Sequence, residues 1–196
     1  MSAYVLDSTG AEKEKELSAS SGWPQVHKLK DDCSCSIGLL DRSNEREVAV
    51  IHSVLQHEIE VGTYPQSPPM DQSAFLAYYC SHTVLVARDS VTNKVLGSVY
   101  IKPNFPGRCS HICNGGFLVA LDSRGNGVGR ALATSFEVAA RTLGYKAIFF
   151  NLVFADNPAS FALWNSLGYK QVGRVPSAKR LESGEYVDAY MMHKLL

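Results

Sequence analysis

Apolar positions at Val48, Ile51, Leu55 and Ile59 recur at helical spacing. They predict a helix that starts at Ser43, a candidate N-cap, carries Glu45 and Glu47 in its first turn, and stops at Gly62. A proline-broken loop follows over 64–70. Asp71 then caps a second helix, Gln72 to His82, with Phe75, Leu76 and Tyr79 inward. Beyond it the period falls to two. Thr83–Ala87 and Val95–Lys102 read as an antiparallel hairpin around a turn at Ser90–Asn93, and Ile112–Leu121 as the next strand. The clearest helical pattern is Val128, Leu132, Phe136, Ala139 and Leu143, closed by Gly144. Ala147–Phe154 is almost unbroken apolar and reads as a buried strand. Asn157 with Pro158 opens another helix, with Ala159, Leu163 and Leu167 on one face and Gly168 at its end. Tyr169–Val175 and Tyr186–Leu195 read as closing strands around a polar loop over 177–185. Residues up to about Pro24 read as a polar, irregular arm with at most a short strand, and a strand end is expected within Ser36–Leu40. The order of elements describes one mixed α/β domain over 1–196, with 1–24 as its arm.

Composition narrows the function. Of 196 residues 45% are apolar and 19% charged, and the formal net charge is zero. That balance argues against a nucleic-acid or anionic-membrane surface as main partner. The chain has no run of about eighteen apolar residues that could span a bilayer. The five cysteines, Cys33, Cys35, Cys80, Cys109 and Cys113, are an odd set that does not resemble a disulfide framework, and the N-terminus resembles neither a secretory signal nor a transit peptide. The expected location is the cytoplasm, with a mitochondrial pool left open. Cys109, His111 and Cys113, with Cys33 and Cys35, could supply zinc ligands. A C-x-H-x-C run on an extended strand sends alternate residues the same way and C-x-C is not the usual knuckle, so no metal is expected.

The chemistry-bearing stretch is Phe117–Leu132. A short apolar strand meets a turn with Gly125, Gly127 and Gly129 and opens at once into a helix. Such a turn points several backbone N–H groups at one spot, where the helix dipole favours an anion. A P-loop would need Lys-Ser or Lys-Thr after the last glycine, and this chain has Arg130-Ala131. A dinucleotide fingerprint would need a third small residue where Arg130 or Leu132 stands. The residues leave a diphosphate cradle of another kind, beside a glycine turn that merely starts a helix. Asn151, inside a strand of Phe and Val, is the other anomaly, since a buried amide without partners costs about 1–3 kcal/mol. Asn114 precedes Gly115-Gly116, which suggests a bulge or a close backbone approach. On neighbouring strands the two amides could face one cleft.

Arg124-Gly125-Asn126-Gly127-Val128-Gly129 resembles the R/Q-x-x-G-x-G/A motif of the GNAT superfamily of N-acetyltransferases, and Asn157–Tyr169 resembles that family's second motif. The resemblance implies the GNAT fold: a mixed, mostly antiparallel sheet, splayed at an acetyl-CoA cleft and flanked by helices. It implies acetyl-CoA as co-substrate, held near Leu118, Val119, Arg124, Gly125, Asn126, Gly127, Val128, Gly129, Arg130, Asn157, Phe161 and Trp164. Trp164 stands where the family often has a tyrosine acid, and the strand at 112–120 lacks the carboxylate that often serves as base. The segments around Tyr64, Tyr100–Asn104, Arg108–Asn114, Gly116–Val119, Phe150–Phe154 and Val187–Ala189 are similar, more narrowly, to fungal N-acetyltransferases of L-azetidine-2-carboxylate and related proline analogues. That likeness implies that Asn114 and Asn151 bind an imino acid and support catalysis, with Tyr64, Phe117 and Leu152 lining its site. It also implies a homodimer. Two alternatives stay open: a GNAT enzyme with another amine acceptor, such as a polyamine or a peptide N-terminus, and a non-catalytic acyl-CoA-binding module.

Overall fold

The computed structural model describes residues 9–20 and 22–196. Among them the elements run α1 (Thr9–Ala19), β1 (Gln25–Lys28), β2 (Ser34–Leu39), α2 (Glu45–Glu60), α3 (Gln72–Tyr78), β3 (Thr83–Asp89), β4 (Val95–Pro103), β5 (Ile112–Val119), α4 (Val128–Thr142), β6 (Ala147–Phe154), α5 (Pro158–Ser166), β7 (Lys170–Arg180) and β8 (Tyr186–Leu195). One eight-stranded sheet has the order β1-β2-β3-β4-β5-β6-β8-β7. Every neighbouring pair is antiparallel except β5 and β6. The mixed, mostly antiparallel sheet flanked by helices is the architecture expected from the sequence.

The period-2 strands have two buried faces, and each is covered by helices. Val48, Ile51, Leu55 and Ile59 of α2 pack with Phe75 and Tyr79 against Val84, Val86, Tyr100 and Leu118. On the other face Val128, Leu132, Phe136 and Ala139 of α4 pack with Trp164 of α5 against Val99, Ile101, Cys113, Ile148 and Phe150. Each large side chain buried in this way contributes roughly 1.5–3 kcal/mol.

Several boundaries differ from the sequence reading. Asn44, not Ser43, caps α2: its side chain accepts from Glu47 N, while Ser43 bonds back to Asp41. Helix α3 ends at Tyr78, and its cap is Asp71 as expected. β5 stops at Val119, before a 3₁₀ turn at Leu121–Ser123. β7 continues to Arg180 through a register shift, so the polar loop is shorter than expected. The supposed irregular arm contains α1, which docks Leu17 fully into the core beneath α4; residues 1–8 lie outside the described residues. β1 and β2 extend the sheet, with Cys35 and Ile37 of β2 buried.

Candidate active site

β5 and β6 pair over only two positions, Ile112 with Ala147 and Cys113 with Ile148. Beyond them the strands diverge, and a cavity of about 490 Å³ opens between their ends and the loop after α2. Asn114 lines it from β5 and Asn151 from β6. The two amides, which the sequence allows to face one cleft, both line it.

β5 keeps an unbroken register with β4 from Cys113 to Val119, so the Asn114-Gly115-Gly116 segment makes a close approach and not a bulge. A Cβ at Gly115 would stand 2.6 Å from the Phe136 ring, and one at Gly116 would stand 2.3 Å from Tyr100. The register also fixes which N–H groups face the gap. Asn104 N bonds Ile112 O and Ala120 N bonds Leu96 O, so even-numbered residues of β5 make the ladder bonds to β4. Alternation turns the N–H of Phe117 and Val119 toward the splay. Leu118, expected beside Val119 at the cofactor, gives its N–H to the ladder by the same rule, and its side chain is buried against α2 and α3.

Asn151 and Leu152 sit in a register shift between Phe150 and Val153 on β8, which frees them from regular pairing. The half-buried amide of Asn151 finds its partner in Asn104. Asn104 Nδ2 donates to Asn151 Oδ1 at 3.1 Å, and Asn151 Nδ2 donates to Asn104 Oδ1 at 2.6 Å. Asn104 is itself buried and lines the cavity. Sequence reasoning gave it no role, although Tyr100, Lys102 and Asn104 alternate at the end of an apolar strand. Asn114 Oδ1 accepts from Gly115 N at 2.8 Å, which fixes the side chain beside its own backbone.

The walls are aromatic. Tyr64 donates to Phe117 O at 3.3 Å, and the hydroxyls of Tyr78 and Tyr100 lie 3.3 Å apart. Burial pushes all three phenols above their ordinary pKa, so they stay neutral. Leu152 lines the mouth and is partly exposed, and Phe117 lines the cavity while packing on Phe136, Phe150 and Trp164. Trp164 belongs to that aromatic cluster, with Phe150 at 4.5 Å and Tyr169 at 5.2 Å, and its Nε1 donates to Ser160 Oγ at 2.9 Å. An indole N–H so engaged is a packing group and not a proton source. Trp164→Phe should leave turnover within about threefold and lower stability by about 1 kcal/mol, one hydrogen bond's net contribution. Steady-state rates and a denaturant midpoint check this.

The glycine turn lies at the other end of the splay. Gly125 and Gly127 have φ of +79° and +96°, and Gly127 is the left-handed N-cap of α4 with no side-chain cap. The first-turn N–H groups of α4 are therefore directed outward beside exposed Gly125, Asn126 and Gly127, a fit for a diphosphate. Gly129 seats α4 against Val119 and Leu163, where a Cβ would be in ordinary contact. Val128 is buried beneath the turn, and Asn126 O accepts from Lys30 N. Arg130 is exposed at this end and reaches Ser166 Oγ at 2.7 Å. Arg124, expected on a phosphate, bonds the buried Glu58 of α2 and Val119 O. Asn157 caps α5 through Ser160 N at 3.1 Å and lines the cavity, and Phe161 packs on Tyr190. Ala at Gly127 must hold a left-handed backbone, at about 1–2 kcal/mol. Gly127→Ala should therefore lower the unfolding free energy by about that amount, which a denaturant midpoint checks. Cys113 points into the α4 core, and no group of three potential metal ligands forms among the described residues.

Comparison with known proteins agrees with this geometry. The model of the acetyltransferase (GNAT) family matches residues 51–169. N-acetyltransferase aca1 of Schizosaccharomyces pombe is 38% identical over 169 residues, covering 76% of this chain and 80% of that protein. A GCN5-related N-acetyltransferase from Kribbella flavida superposes with a TM-score of 0.77 at 29% identity, over 83% of this chain and 98% of that one. A phosphinothricin acetyltransferase from Sinorhizobium meliloti, solved in complex with acetyl-CoA, shares the fold with a TM-score of 0.73 at 18% identity, over 83% of this chain and 88% of that one. With its splayed strands, glycine cradle and matching sequence, the chain belongs to the GNAT family of acetyl-CoA-dependent N-acetyltransferases.

Proposed function

We propose that the acceptor is the secondary amine of a small imino acid, such as L-azetidine-2-carboxylate or a hydroxyproline, and that the enzyme inactivates toxic proline analogues. The observation that carries this reading is the convergence of Asn114 and Asn151 on one tyrosine-walled cavity of about 490 Å³, the size of a small-molecule site. The likeness to the azetidine-2-carboxylate enzymes supports it through the same two residues.

Acetyl-CoA supplies the activated acetyl thioester. The α4 N-terminus and glycine turn would hold its diphosphate, and Val119 N–H would stabilise negative charge on the thioester oxygen. Asn114 and Asn151 would orient the acceptor so that its nitrogen lone pair faces the thioester carbon. The amine nitrogen forms the C–N bond as the C–S bond breaks, and the amine proton leaves as the thiolate becomes coenzyme A thiol. An amide side chain cannot take that proton. Asn151, already bonded to Asn104, positions and does not deprotonate, so water in the open splay carries the proton out.

Mass spectrometry of reactions with purified protein tests the proposal. N-acetyl-L-azetidine-2-carboxylate is the expected product. Acetylated polyamine or peptide alone would assign another acceptor, and acetyl-CoA binding without any product would make the chain a binding module.

A further inference from the structure

The cavity is lined by tyrosines, asparagines, prolines, phenylalanines and glycines, and by a single charged side chain among the described residues, Lys102. Lys102 lies on β4 directly opposite Asn114 on β5, so the two side chains stand side by side on one face. Its ammonium sits 4.2 Å from the centroid of the Tyr78 ring and 4.2 Å from that of Tyr100. Those rings are themselves fixed, by the bond between their hydroxyls and by an edge-on contact at 5.8 Å. Three other lysines meet carboxylates: Lys94 pairs with Asp122, Lys179 with Asp156 and Lys194 with Glu137. Lys102 forms no ion pair with any described residue.

We infer that Lys102 anchors a carboxylate of the acceptor, so that the site selects amines bearing an α-carboxylate over neutral or cationic amines. The inference rests on the cavity being the acceptor site and names the group by which the acceptor is held. A half-buried ammonium over two π-faces has lost much of its water and retains only cation–π attraction in exchange. Burial lowers its pKa to about 8, which leaves it mostly cationic at neutral pH while its charge is poorly solvated. A carboxylate supplies the missing counter-charge through a charge-assisted hydrogen bond. The same cation repels a protonated amine beside it, which favours the neutral nucleophile that the amides cannot generate. It also disfavours polyamines, whose charges all have the wrong sign.

The test compares L-azetidine-2-carboxylate with its carboxamide, by kcat/KM for coenzyme A release, in wild type, Lys102→Met and Lys102→Arg. Wild type should prefer the acid about thirtyfold, the yield of one hydrogen bond to a charged group. The methionine variant should accept both within about threefold, through a higher KM for the acid, with acetyl-CoA affinity and thermal midpoint unchanged. The arginine variant should recover part of the preference. An acid preference that survives in the methionine variant overturns the inference. The same acid and amide are titrated against the protein saturated with coenzyme A. If wild type turns over no imino acid, yet acid binding still depends on Lys102, the imino-acid reading falls and the anchor stands. Equal binding to wild type and the methionine variant removes the anchor.

Discussion

Asn151→Ala should lower turnover about a hundredfold, on the scale seen when one positioning or charge-stabilising donor is lost from an active site. Acetyl-CoA affinity should stay within about twofold, because the glycine turn and the α4 N-terminus lie at the other end of the splay. The amide does two things at once. It lines the cavity where the acceptor is proposed to sit, and it holds Asn104 through two reciprocal hydrogen bonds of 3.1 and 2.6 Å. Truncation takes the amide partner from buried Asn104, so stability should fall by about 1–3 kcal/mol as well. Asn104→Ala separates the two effects. It should lower stability comparably but reduce turnover less, since Asn151 remains to meet the acceptor. Coenzyme A release and chemical denaturation on the two variants decide the matter, and unchanged turnover in Asn151→Ala would remove this residue from the site.

The second large effect is structural and falls at a residue with no polar chemistry. A Cβ on Gly97 of β4 would stand 2.4 Å from the Leu118 carbonyl oxygen and 3.1 Å from Leu132. The first of these is backbone and cannot rotate away. Gly97→Ala must therefore push β5 from β4 at the point where Val119 presents its N–H to the gap. The expected cost is about 3 kcal/mol, the upper part of the range for forced shifts in a packed core. For a chain of this length that lowers the melting temperature by roughly 6–12 °C. Turnover of the folded fraction should also drop, because Val119 N–H, the donor proposed for the thioester oxygen, moves with the strand. Calorimetry and rates measured well below the new midpoint would show both.

How much could be read from the sequence differs by residue. The α2 and α4 stripes, the strand at 147–154 and the caps at Asp71 and Asn157 were legible because a long run of positions repeats one period or one capping rule. Helix α1 was not, because Leu17 is its single described residue in the core and one anchor makes no period. β2 hides its alternation in small residues, with Cys35 and Ile37 buried between serines and a glycine. In the site, Asn114 and Asn151 stood out as polar groups among apolar neighbours. Asn104 and Lys102 did not, since a polar residue at a strand end is ordinary until the fold turns it inward. Arg124 has a partner that its motif does not announce. Its place in the glycine motif suggests a phosphate, while the partner it bonds, Glu58, lies 66 residues away on α2, a contact no local pattern reveals. The pairing of β5 with β6 over only two positions decides where the cavity opens, and that too is a tertiary fact.

The central claim is that the cavity accepts a secondary amine of an imino acid. The most direct measurement is the ratio of kcat/KM for L-azetidine-2-carboxylate to that for L-2-aminobutyrate, its primary-amine counterpart with the same number of carbons and the same carboxylate, at saturating acetyl-CoA. A ratio well above about tenfold, the equivalent of 1.4 kcal/mol of transition-state discrimination, is the predicted result. A ratio near one, or a preference for the primary amine, would contradict it.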